Sequence, residues 1–167
     1  MTEHDSGQSP PQPPSYDDLQ KTADWFAEPD PSLQSIADFA NRARAGFGIT
    51  LLTAAGAISG SVIAREDFYA GLAHLFRASA EEVEDKAKRE VSLSTADLFF
   101  GTPAQQMREE RENDDSKDDV ALINQEQLTR FIHLENAFIL QGPTRHNLGF
   151  FRVQLSHVSA WTLGTLD

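Results

Sequence analysis

Cysteine is absent from this 167-residue chain, which excludes disulfides and thiolate metal sites. Basic residues are scarce as well: 14 Lys and Arg stand against 26 Asp and Glu, for a formal net charge of -12. No local run of Lys or Arg offsets that balance, so a phosphate backbone is repelled and no nucleic-acid partner is expected. Long hydrophobic runs are missing. The most apolar stretch, Ile49 to Ala64, is interrupted by hydroxyls and glycines and falls short of the roughly 18–20 residues of a membrane span. Met1 is followed by Thr-Glu-His-Asp instead of a basic and then apolar signal segment, so the expected location is cytoplasmic, with no membrane partner. Catalytic patterns are missing too, with no GxGxxG, P-loop, GxSxG or HExxH. His133 and Glu135 share a strand face, but a metal site there needs a third ligand from His146 or His157. Ser156 and His157 are adjacent on an extended chain and so point to opposite faces, which does not make a nucleophile and base. The expectation is a protein that is not an enzyme, with no catalytic residue, no metal and no cofactor.

The stretch that organises the rest runs from Gly48 to Ile63. Ile49, Leu51 and Thr53 alternate with Thr50 and Leu52, Ala54-Ala55-Gly56 supplies a turn, and Ile58, Gly60 and Val62 resume the alternation, which predicts a β-hairpin. Gly60 in mid-strand marks a bend or a close backbone approach. Before the hairpin, Leu33, Ile36, Phe39, Ala40 and Ala43 predict an amphipathic helix over Ser32 to Ala45, with Ser32 as its cap and Gly46 and Gly48 ending it. After it, Glu66 and Asp67 open a second helix striped by Phe68, Leu72, Leu75 and Phe76. Ser79 to Glu82 has capping-box spacing, and Val83 to Val91 reads as a mobile solvated helix or linker. Arg108 to Asp119 reads as a solvated acidic linker.

Strands return at Thr129. Thr129 to Leu140 alternates, with a turn expected at Glu135-Asn136; Gln141 to Asn147 has loop composition; Gly149 to Leu155 is a strand. Ser156-His157-Val158 forms a turn before a last strand, Ser159 to Leu163. Phe151 and Trp161 on these strands are expected to be structural. Six of the 8 prolines fall between Pro10 and Pro31, in an arm rich in Gln, Ser, Asp and Glu that is expected to be disordered. Two aromatic clusters stand out from polar surroundings as partner-binding candidates: Trp25 with Phe26, and Leu98 with Phe99 and Phe100. For Trp25-Phe26, docking back on the domain is the other reading.

A helix, a glycine-bent hairpin and a late strand pair split by Ser-His-Val resemble a small Sm-like or SH3-like barrel. Gln154 to Ala160 is similar to the strand-turn-strand segment of the bacterial Sm-like RNA chaperone, with Ser156 where that family carries a basic residue. An Sm-like nucleic-acid-binding protein is therefore the alternative reading. At longer range, Ile49-Thr-Leu-Leu-Thr to Ile58-Ser-Gly-Ser-Val-Ile, Asp67-Phe68-Tyr69-Ala-Gly-Leu and Phe131-Ile-His-Leu-Glu-Asn-Ala resemble the GvpU family of gas-vesicle accessory proteins. That resemblance implies a non-enzymatic factor that associates with gas-vesicle shell or other gas-vesicle proteins and regulates vesicle clustering by multivalent self-assembly, as a homo-oligomer able to form condensates.

The expected fold class is α+β: a small Sm-like/SH3-like β-barrel with an N-terminal helix and an inserted helical, partly disordered segment. The expected divisions are an arm over 1–31, a helix, hairpin and helix over 32–78, a charged insertion over 79–128, and strands completing the barrel domain over 129–167. Open sheet edges are expected to supply a dimer or ring contact.

Overall fold

The fold comes from a computed structural model that describes residues 28–114 and 129–166. Helix α1 (Pro31–Ala43) is capped by Asp30, whose carboxylate accepts from the N–H groups of Ser32 and Leu33 at 2.7 and 3.0 Å. The expected cap, Ser32, lies inside the first turn, because Pro31 has no N–H to satisfy and takes the first helical position. The helix ends not on a glycine but on Arg44, held in the left-handed region at φ 48. Two strands follow, β1 (Phe47–Thr53) and β2 (Gly56–Ile63), the expected hairpin. Three helices come next: α2 (Arg65–Glu81), α3 (Lys86–Ala96) and α4 (Thr102–Asp114), with a π-helical turn at Asp97–Gly101. The chain then makes β3 (Phe131–Gln141), β4 (Thr144–Gln154), a 3-10 turn at Leu155–His157 and β5 (Val158–Leu163).

The five strands form one antiparallel sheet in the order β4-β3-β2-β1-β5. The outer two do not pair with each other, so the expected barrel is observed as an open sheet. Glu135-Asn136 is not a turn. Asn136 has φ 50 and sits where the β3 register shifts, so the residues form a bulge inside one continuous strand. Opposite that bulge lies Gly60, where a Cβ would come within 3.0 Å of both the Ala137 Cα and the Glu135 carbonyl oxygen. The glycine lets two backbones close on each other, as its place in mid-strand predicts. The expected loop over 141–147 shrinks to the pair Gly142-Pro143, because Thr144 to Asn147 already pair with β3.

One face of the sheet packs on α1. Leu33, Ala37 and Ala40 meet Ile49, Leu51, Ile58, Val62, Ile132, Leu134, Val153 and Leu155 in a single buried cluster, with Phe151 and Trp161 half-buried against it. Phe39, expected inward, is exposed, since the buried stripe runs through Leu33, Ala37 and Ala40. Polar groups on the same helix secure the chain on either side of the three-helix segment. The Asn41 side chain accepts from the Arg65 N–H at 2.8 Å and donates to the Thr129 hydroxyl at 3.4 Å, while the Gln34 amide reaches the Thr129 carbonyl at 3.2 Å. Helix α1 therefore fixes both where the chain leaves β2 and where it enters β3.

Helix α2 packs on the other face, over β3 and β4. Gly71 makes this approach feasible: a Cβ there would overlap the Phe150 ring, with the nearest ring atom at 2.2 Å. Phe68 lies 4.8 Å from the ring of His133, and Tyr69 lies 6.4 Å from it, measured between centroids. His133 is buried, and its Nε2 has no hydrogen-bond partner among the described residues. Burial, followed by the charges of Arg152 and Arg65, pushes its pKa down from 6.5 to about 3. An unfolded chain takes up this proton below about pH 6.5, whereas the folded one refuses it until about pH 3, so stability falls as pH drops through that window. Each pH unit costs up to about 1.4 kcal/mol from this one group. Urea unfolding of the wild type and of His133→Phe between pH 7 and pH 4 checks it. The wild type is expected to lose roughly 1 kcal/mol more per unit than the variant; parallel curves would assign the acid sensitivity to other groups.

Candidate partner-binding surface

The surface is carried by α2, α3, the π-helical turn and α4, and it is held in place by one carboxylate. Glu66, only 4% exposed, receives Arg44 Nε at 3.2 Å from the end of α1 and Arg111 Nε at 3.0 Å from the end of α4. Arg111 Nη2 adds a second contact at 3.4 Å. Asp67 also holds the Arg44 guanidinium. Arg111 thus leaves the solvated acidic linker to which its neighbours in sequence assign it, because the buried carboxylate of Glu66 needs a counter-charge. Residues 102–114 are helical here, and the remainder of the expected linker, 115–119, lies outside the described residues.

Helix α2 does not stop at the expected capping box. It runs through Ser79 to Glu81 with Ala73 and Ala80 buried, since side packing outweighs the local capping preference. Asp85 is the cap of α3, accepting from the N–H groups of Ala87 and Lys88 at 2.9 and 3.2 Å. The segment expected to be a solvated helix or linker is thus helical from Lys86. Arg77 of α2 clasps the Asp97 carboxylate at the head of the π-helical turn, with Nε at 3.0 Å.

Outward from this frame, α3 buries Ala96, while its Ala87, Glu90, Val91, Ser94 and Thr95, with Leu98 of the π-helical turn, line one shallow open depression. The spacing of Ala87, Val91, Ser94 and Leu98 is that of one helical face. Val91 is 67% exposed, Leu98 68% and Phe99 61%. Phe100 is half-buried instead, its ring 4.9 Å from that of Phe76 and 6.5 Å from that of Tyr69. Leu75 and Phe76, expected in the buried stripe of α2, are themselves close to half exposed. Of the aromatic candidates, then, Leu98 and Phe99 reach solvent together and Phe100 anchors the turn that carries them. Trp25 and Phe26 lie outside the described residues. Charged neighbours hide Val91 in the sequence, although its place four residues after Ala87 and seven before Leu98 marks the face.

Among the described residues, no group of three or more His, Asp or Glu side chains is placed to hold a metal ion, and no helix is long and apolar enough to cross a membrane. The class is a mixed helix-and-sheet protein whose open antiparallel sheet bears a docked set of helices with apolar side chains turned to solvent. The chain belongs to the GvpU-like family: the family model described as gas vesicle protein GvpU-like matches residues 30–166. It is a gas-vesicle-related protein. Neither the curated proteins nor the solved structures yield a match to it.

The Glu66 contacts generate a test. Among the described residues, Arg111→Ala leaves the buried carboxylate with Arg44 as its one cation. The expected cost is about 2 kcal/mol, below the ~3–5 kcal/mol of a fully buried pair because Arg111 keeps access to water. Hydrogen exchange is expected to accelerate over 102–114 while β1 to β3 stay protected. Unchanged exchange in α4 would show that Arg111 does not fasten it.

Proposed function

We propose that this protein is a non-enzymatic gas-vesicle accessory factor that attaches to the vesicle shell or its associated proteins and regulates vesicle clustering through multivalent self-assembly. The observation that carries this reading is the solvent-facing group Val91, Leu98 and Phe99, set on a fixed helical platform in a member of a gas-vesicle family. Val91 and Leu98 line one depression, and contiguous exposed apolar surface of that kind marks a contact site. Residues 79–128 act as the interacting insertion, 1–31 as an arm, and 32–78 with 129–167 as the domain that carries them. The order β4-β3-β2-β1-β5, with a 3-10 turn before the last strand, supports an Sm-like small-barrel relationship for that domain.

The alternative Sm-like nucleic-acid binder is less well supported. Arg145 and Arg152, the cations of β4, lie 3.5 Å over the rings of Phe138 and Phe131, so they are engaged within their own chain. The net charge of -12 opposes a phosphate backbone.

Co-flotation with purified gas vesicles tests the proposal. Wild-type protein is expected in the buoyant layer. Val91→Glu combined with Leu98→Glu, both at exposed positions, is expected to melt like the wild type and to lose at least about tenfold in the amount floated, as interface anchors carry ~1–2 kcal/mol each. A double variant that floats like the wild type would remove this surface from the interaction.

A further inference from the structure

Strand β5 is one edge of the sheet, and its outer side meets no other strand among the described residues. Its sequence, Val-Ser-Ala-Trp-Thr-Leu, holds no charge and no proline, so it lacks the devices that blunt an exposed edge. The opposite edge, β4, carries Arg145 and Arg152, and cationic side chains of that kind do blunt it. Register shows which β5 backbone groups face away from β1. The Gly164 N–H donates to the Gly48 carbonyl at 2.8 Å. Hydrogen-bonded pairs alternate along an antiparallel ladder, so Thr162 opposite Thr50 and Ala160 opposite Leu52 also turn their backbone groups toward β1. The N–H and C=O groups of Trp161 and Leu163 therefore point away from the sheet. In agreement, the Leu163 carbonyl accepts from the hydroxyl of its own neighbour Thr162, at 3.3 Å.

We propose that β5 is the seam of a two-fold dimer, pairing antiparallel with β5 of a second copy about an axis at Trp161. That register sets the outward groups of Trp161 against those of its counterpart, and it places Leu163 opposite Ser159, the residue at the register shift of β5. Thr162 faces Ala160 in the closer, non-hydrogen-bonded position. Leu163, 61% exposed in the single chain, meets a small residue, and no charges are opposed. Pairing of β5 with β4 of the next copy is heterologous, and any pairing through β4 engages the blunted edge, whereas β5 with β5 closes on itself and avoids it. The inference rests on the self-association in the proposed function and gives it a geometry. One dimer carries two copies of the Val91, Leu98 and Phe99 surface, the minimum needed to bridge two vesicles.

The absence of cysteine makes the test clean. Ala160→Cys and Thr162→Cys proteins, mixed in equal amounts under mild oxidation, are expected to give the mixed disulfide dimer well above either homodimer. A parallel mixture of Thr162→Cys with Asn147→Cys, on β4, is expected to cross-link little. Leu163→Pro removes an outward N–H without removing a bond to β1, and in sedimentation it is expected to weaken the dimer at least about tenfold. On vesicles it is expected to float but not to cluster them. A wild-type monomer at all accessible concentrations, equal yields of mixed and homodimeric disulfides, or preferred cross-linking to β4 would each overturn the seam. Loss of flotation by the wild type would instead overturn the vesicle reading and leave the seam standing.

Discussion

The placement of the helical segment depends on a carboxylate that has almost no access to water. Glu66 sits at the start of α2, where the ends of α1 and α4 converge, and it meets a guanidinium from each. A charge in that position is tolerated only with partners, and both partners come from elements far away in sequence. The contact closes a loop of 45 residues between Glu66 and Arg111. It turns three helices from a string into a platform, and the exposed side chains of α3 have a defined direction because of it.

Around this node, the remaining polar groups serve the same geometry. Asn41 touches both Arg65 and Thr129, so the segment departs and returns beside one helix. On the sheet side, Gly71 gives Phe150 room, and on the opposite face Gly60 gives Ala137 room. A methyl group at Gly71 would push the helix off the sheet, and one at Gly60 would push two neighbouring strands apart. Close packing there favours one placement of the helices over the many that an amphipathic stripe alone would allow.

What the sequence made legible follows from how local the causes are. The hairpin was readable because alternation and a turn lie within sixteen consecutive residues, and Gly60 in mid-strand announced a close approach. The last two strands are readable for the same reason, although the loop before them is shorter than its composition suggests, since pairing to β3 begins at Thr144 and nothing nearby signals it. Ser32 lost its capping role to Asp30 because the proline between them sets the start of the helix. The acidic run concealed Arg111, whose partner is the distant Glu66, and the charged neighbours of Val91 concealed the face it shares with Leu98. Leu98 and Phe99 were legible as an apolar cluster without an evident role in the core, while Phe100, in the same run, packs inward on Phe76.

The exposed face of α3 and the π-helical turn is predicted to meet the vesicle, and the sheet is not. Hydroxyl-radical footprinting of the protein, free and bound to purified gas vesicles, reads this side chain by side chain. Binding is predicted to suppress oxidation at Val91, Leu98 and Phe99 and to leave Phe39 on α1 and Leu52 on β1 as reactive as in the free protein. Suppression at Phe39 or Leu52 with Leu98 and Phe99 unchanged would contradict it.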